Sequence, residues 1–300
     1  MATVGVLCAR GRVEEKALMT ALAEAGIVSA LFPPADEPLP IGSLPVAAGE
    51  RAFPVPQLVV DRHPNRVIAR PVLATCRARG VPALSAGIAA TGDRLDVASA
   101  LAVAGLPRPL TVLHTSEAAA LASVAKLGAP CTLLPLDMHG SGIPLLDIDL
   151  AEAILEHREV LGGADGALGI IQAGAPAPET RVTVIVVDGV AVALNATPGV
   201  SVPDAVLTLA EDASRALCAE LIGIDVVLTA DGPQIWDAQP VPEFRQAMPV
   251  SGISVAGVIA SAVERRLSGA VALEITIGPT SRLQSAVVWE RAHGDIVYSA

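Results

Sequence analysis

Asp225, Asp237 and Gln239 are the residues of this chain whose types and spacing bear most directly on chemistry. Asp225 is the acid in an otherwise apolar run, Ile224-Asp225-Val226-Val227-Leu228, that reads as a strand. Asp231-Gly232 follows as a hairpin turn, and Pro233-Gln234-Ile235-Trp236-Asp237 reads as the returning strand. Folded back in this way, the hairpin brings Asp225 and Asp237 to neighbouring positions on one sheet face, with Gln239 further along the same side. Two carboxylates and an amide oxygen are hard ligands, the type that suits magnesium holding nucleotide phosphates. The same pattern fits a surface hairpin with two solvated acids, and both readings stand at this point.

The elements that must position the hairpin follow a regular order. Strands are expected over residues 3–8, 27–32, 58–61 and 81–84, with helices over 14–25 and 64–79 stopped by Gly26 and Gly80. Strand alternating with helix at this spacing implies a parallel sheet with helices on its faces. The stretch 33–56, rich in Pro, Gly and Ala, reads as a long irregular loop. A small middle block follows, with helices over 92–104, 116–127 (capped by Ser116) and 150–159 and strands over 110–114 and 131–136. His139-Gly140-Ser141-Gly142 is a short flexible loop within it. The last part carries strands over 168–172, 181–187 and 190–194, the latter two joined at Asp188-Gly189, then a helix over 203–221, the hairpin, a helix over 254–266, and strand-like runs over 271–277 and 285–289. The fold class expected is α/β, in lobes 1–87, 88–165 and 166–268 with a strand extension over 269–300.

Composition narrows the function classes. The 300 residues are 52% hydrophobic and 17% charged, ample for buried cores. No apolar stretch free of charge and punctuation reaches membrane-spanning length, and the first residues lack a basic leader, so a cytoplasmic protein is expected. A net charge of -11 argues against nucleic acid as a partner. Arg62, Arg66, Arg70, Arg77 and Arg79 are the nearest approach to a basic stripe, and their helical spacing reads as the wet face of one helix. Cys8, Cys76, Cys131 and Cys218 are scattered among apolar or small neighbours and read as buried thiols, without zinc spacing. The acid pairs Glu14-Glu15 and Asp147-Asp149 read as solvated. The five histidines suggest no triad; His139, in the glycine loop, is the one worth testing, against an ordinary loop histidine. Ser141 and Ser251 lack a visible base partner, and no GxGxxG motif supports a dinucleotide dehydrogenase.

Four runs, over residues 4–25, 91–109, 151–161 and 223–257, resemble the ATP-grasp carboxylate–amine ligases, in order and spacing, over about residues 1–267. The branch they are most similar to contains the ribosomal-protein glutamate ligases and the lysine-biosynthesis ligases that join glutamate or α-aminoadipate to a carrier protein. The resemblance implies a parallel-sheet N-terminal lobe, a small middle lobe and a C-terminal antiparallel-sheet lobe. ATP between two lobes would activate a carboxylate as an acylphosphate, and magnesium would clamp the phosphates.

Carried over residue by residue, the resemblance assigns Asp225, Asp237 and Gln239 to the metal. Asp237 stands where glutamate is usual, and Gln239 where asparagine is usual. Arg94 stands at a phosphate-side lysine. Gly140, Ser141 and Gly142 represent the flap over the phosphates, and Gln172 stands at the nucleotide-side hinge. Arg181 would face substrate as a catalytic residue. Glu243, Phe244, Arg245, Ser251 and Gly252 match the segment around the amino-acid substrate. Two departures stand out. A second phosphate or adenine-side lysine falls on Leu134, which cannot donate to a phosphate, and the arginine expected before the segment at Asn195 has no counterpart. The resemblance therefore implies either a ligase using ATP and magnesium with impaired catalysis, or an inactive fold serving as a binding or regulatory subunit. The latter would act as a homo-oligomer or in complex with an active relative.

Overall fold

The structure is a computed structural model and describes residues 4–32, 56–138, 140–166, 168–250 and 252–276. β1 (Val4–Leu7), α1 (Val13–Glu24), β2 (Ser29–Phe32), β3 (Leu58–Asp61), α2 (Arg66–Ala78) and β4 (Ala83–Leu84) open the chain. Their strands pair in parallel in the order β2-β1-β3-β4. β1 and β3 are central and buried at every residue, as strands covered on both faces must be. Alternation divides their side chains. Val4, Val6, Leu58 and Val60 pack with Leu18 and Leu22 of α1, while Leu7 and Val59 pack with Ala69 and Leu73 of α2.

α3 (Ile88–Thr91) and α4 (Arg94–Val103) lead into the second sheet, formed by β5 (Thr111–His114), β6 (Cys131–Leu134), β7 (Ile143–Leu145) and β8 (Gly169–Ala173). It is antiparallel, in the order β5-β8-β6-β7. α5 (Glu117–Leu127) and α6 (Ile148–Gly166) supply a separate core, in which Val124 and Leu155 meet Cys131, Leu133 and Ile171. The interleaved Leu134, Ile170 and Gln172 line a gap on the other face of the sheet, towards Trp236.

The third sheet is antiparallel, β12-β11-β9-β10-β13, and consists of β9 (Arg181–Val187), β10 (Val190–Ala196), β11 (Leu221–Thr229), β12 (Gly232–Gln239) and β13 (Met248–Pro249). α7 (Asp204–Ala216) packs Val206 and Leu209 with Val184, Ile222 and Ile224, in the same core as α2. α8 (Val255–Thr276) packs Ile259 and Val263 with Ile185 and Val187, in the same core as α1. The first and third sheets thus share two hydrophobic cores, while the middle sheet keeps its own.

Several elements depart from expectation. α6 runs through Gly162-Gly163, and α8 continues through Gly269 to Thr276, so the strand expected over 271–277 is helical as far as it is described. Each is a Leu/Ala-rich helix in which an internal glycine costs about 1 kcal/mol, too little to end it. α7 stops at Ala216 because Cys218 turns left-handed (φ 51), which releases the chain into β11. Cys218 is exposed, unlike the buried Cys76 and Cys131. Residues 33–55 of the expected loop over 33–56 and the run 285–289 lie outside the described residues, as do His139 and Ser251. Among the described residues no helix is long and apolar enough to cross a membrane.

Gly87 makes a close joint between the outer lobes. Its φ is +56, and a Cβ there would lie 2.1 Å from the Leu217 carbonyl oxygen and 2.4 Å from that of Cys218. Gly105 shares the left-handed backbone (φ +67) with open space around it. Gly87→Ala should cost about 2–5 kcal/mol in urea unfolding, from backbone strain plus displaced neighbours. Gly105→Ala should cost about 1–2 kcal/mol, from strain alone.

Candidate functional site

The β11–β12 pairing sets the site. Asp225 lies opposite Asp237 and Gly223 opposite Gln239, with a bulge between Asp225 and Val226. Both acids and Gln239 line one cavity of about 550 Å³, together with Arg94, Leu134 and Arg181. The reading of two solvated acids does not hold, because each is half-buried and engaged by protein donors, and burial pushes the pKa of each up. For Asp225, hydrogen bonds from Thr183 and Gln239 oppose that rise and the Asp237 charge adds to it. For Asp237, Arg94 and the Ala238 N–H oppose it.

The hydrogen bonds show what each acid faces. Asp225 Oδ1 accepts from Thr183 Oγ1 at 2.6 Å. Gln239 Nε2 donates to both Asp225 oxygens, at 2.9 and 3.0 Å, so the amide nitrogen rather than its oxygen faces the carboxylate. Asp237 accepts from Arg94 Nε at 3.0 Å, an ion pair between the middle lobe and the third sheet. Arg94 is buried, and its remaining donors go to backbone carbonyls of the loop after β6.

Beside this pair, one end of the space between the second and third sheets is nearly filled. About 20 Å³ remains among Leu134, Ile170, Gln172, Ile235 and Trp236. Gln172 is engaged at both ends, donating to the Trp236 carbonyl at 3.2 Å and accepting from Thr111 at 3.2 Å. Leu134 is 4% exposed.

A larger cavity of about 1010 Å³ shares part of its wall. Arg181 and Glu243 line both. Arg181 also stacks over the Trp236 ring, 5.4 Å from its centroid. Arg245, Asn195, Thr197 and Gly199 line the larger cavity, and Arg12 reaches it from the first lobe. Gly140, Ser141 and Gly142 line the smaller one. Phe244 turns inward and is buried, and Gly252 is not among the lining residues of either cavity.

Sequence reasoning missed the clamp behind this loop. Arg62 is not on a wet helix face. It is 2% exposed, donates to Glu14 at 2.7 Å and to the Pro242 carbonyl at 2.7 Å, and lies 4.9 Å over the Phe244 ring. Arg66 is buried too, paired with Asp61 at 2.6 Å, while Arg70 and Arg77 are exposed as expected. Glu14 and Glu15 are correspondingly not solvated. Glu14 accepts the backbone N–H groups of Phe244 and Arg245, and Glu15 is buried 3.5 Å from Arg62. The available signal was position, since Asp61-Arg62 follows directly on a fully apolar parallel strand, at the carboxyl end where α/β sheets place their sites.

Because the folded pKa of Asp225 lies above its unfolded value, the stability linked to its protonation is complete below the unfolded pKa and lost as pH rises through the folded one. Asp225→Asn should therefore raise the melting temperature at neutral pH. The gain should shrink as pH falls towards the ordinary carboxylate range, which thermal melts across a pH series will read.

No protein-family model matches the chain. Solved structures do. A RimK domain ATP-grasp protein from Sphaerobacter thermophilus DSM 20745 is 27% identical, with a TM-score of 0.71 over 87% of this chain and 99% of that one. The ATP-grasp ligase PsnB, complexed with precursor peptide PsnA2 and AMPPNP, is 17% identical, with a TM-score of 0.62 over 88% and 97%. The D-alanine–D-alanine ligase of Bacillus anthracis, complexed with ATP, is 15% identical, with a TM-score of 0.62 over 91% and 99%. The likeness to all three is one of fold, and the parallel-sheet lobe followed by two antiparallel sheets is the ATP-grasp fold.

Proposed function

We propose that this chain is an ATP-grasp carboxylate–amine ligase in architecture, of the branch that joins glutamate or α-aminoadipate to a protein or carrier, in which ATP-driven ligation is impaired. Leu134 carries the reading. It is buried on the cleft-facing side of β6, at the position where the resemblance puts a phosphate-binding lysine. The residues present do not fit a bound ATP as they stand. Leu134 offers no donor, Gln172 is spent on Trp236 and Thr111, and only about 20 Å³ is open in the gap between Gln172 and Ile235. Losing one pre-placed charge at a transferring phosphoryl group costs about 3–4 kcal/mol in transition-state stabilisation. In this reading the lobes are 1–87, 88–165 and 166–268, Arg181 faces the substrate, and Glu243 and Arg245 contact the amino acid in the cytoplasm.

The open cavity of about 1010 Å³ favours a second reading. With room for a ligand beside a filled nucleotide gap, the chain would serve as an inactive binding or regulatory subunit, paired with itself or with an active relative.

Calorimetry with ATP and magnesium, followed by ADP release with glutamate or α-aminoadipate, separates the two. Weak nucleotide binding with slow turnover supports impaired ligation, and no heat supports the inactive subunit. Turnover at about 10 s⁻¹, ordinary for an enzyme, would sink both. Leu134→Lys should tighten ATP binding by about tenfold, worth about 1.4 kcal/mol. An unchanged affinity would remove Leu134 from the phosphate site.

A further inference from the structure

One guanidinium ties three separate parts of the cleft together. Arg94 opens α4, and its Nε lies 3.0 and 3.3 Å from the two carboxylate oxygens of Asp237 on β12. Its Nη1 donates to the carbonyls of Pro135 (2.8 Å) and Asp137, and its Nη2 to that of Gly140 (2.7 Å). The Arg94 backbone N–H adds a bond to the Leu136 carbonyl at 2.9 Å. The loop after β6 is also seated from below. A Cβ at Gly140 would lie 2.6 Å from Pro135 Cγ, and one at Gly142 would lie 2.9 Å from Leu134 Cδ2. Met138, within it, is buried.

The acid pair is correspondingly not arranged for a divalent cation. Both Asp237 oxygens already face a cation, and both Asp225 oxygens receive the Gln239 amide nitrogen. Among the described residues no group of three His, Cys, Asp or Glu side chains is placed to hold a metal ion. A metal at Asp237 would compete with Arg94 for the same oxygens, and releasing Arg94 would release the loop.

We propose that Arg94 is a resident counter-ion, which takes the cation's place beside Asp237 and straps residues 135–138 and 140–142 across the cleft, so that metal binding and loop closure exclude each other. The inference stands on the ion pair and the loop contacts, whether or not the chain carries out ligation.

Manganese is the probe, read by electron paramagnetic resonance without nucleotide. Chymotrypsin cleavage after Leu136 or Met138 reads the loop, because buried Met138 is reached only when the loop lifts. The wild-type chain should bind manganese weakly and resist cleavage. Arg94→Ala should bind manganese on the order of tenfold more tightly and be cleaved on the order of tenfold faster, as linkage between the two requires. Asp237→Asn should speed cleavage without gaining manganese. Tight manganese binding by the wild-type chain with the loop still resistant overturns the proposal, and this needs no variant to fold. So does a folded Arg94→Ala, judged by its melting transition, with unchanged cleavage. Failure of ATP to bind moves neither reading, so the two proposals fail separately.

Discussion

A carboxylate taken out of water needs a compensating charge or donor, and the cleft of this protein is organised around that need. β11 and β12 place two acids opposite one another in a buried strip of sheet. Thr183 and Gln239 answer Asp225, and Arg94 answers Asp237. Removing one partner of such a buried pair typically costs 3–5 kcal/mol, roughly, because the other charge is stranded. The satisfied state is therefore the closed one. The middle lobe, the glycine loop and the third sheet meet where the charges balance.

Fold and site have separate histories in this chain. The fold is shared with solved structures at identities between 15% and 27%, whereas the groups proposed to handle phosphate differ from what the resemblance leads one to expect. Burial pattern explains the difference. Cys131 and Leu133 face the middle core and are held by packing. Leu134 faces the cleft, where an apolar side chain fills space that a charged one would need to share with solvent or a ligand. A scaffold tolerates that exchange without changing topology, which is why architecture alone does not identify chemistry.

Much of the scaffold was legible in the sequence because it rests on local chemistry. Period and turn residues located the hairpin and aligned Asp225 with Asp237, and strand–helix alternation gave away the parallel lobe. The clamp around Arg62 was hidden because its partners are distant, Glu14 at a separation of 48 positions and Pro242 at 180. Arg94 and Asp237 are 143 positions apart. Helical spacing correctly described Arg70 and Arg77 but could not show that Arg62 precedes the helix and points inward. Glycines misled in the opposite direction, since α6 and α8 run past residues that look like stops.

The sharing of cores has a mechanical consequence. The outer lobes are welded by two common interiors and by the Glu14–Arg62 clamp, so neither can shift without tearing apolar contacts apart. The middle lobe, with an interior of its own, hangs from the assembly like a lever on a fixed frame. Among the described residues, a large displacement therefore belongs to that lever, turning about the chain that joins α4 to β5.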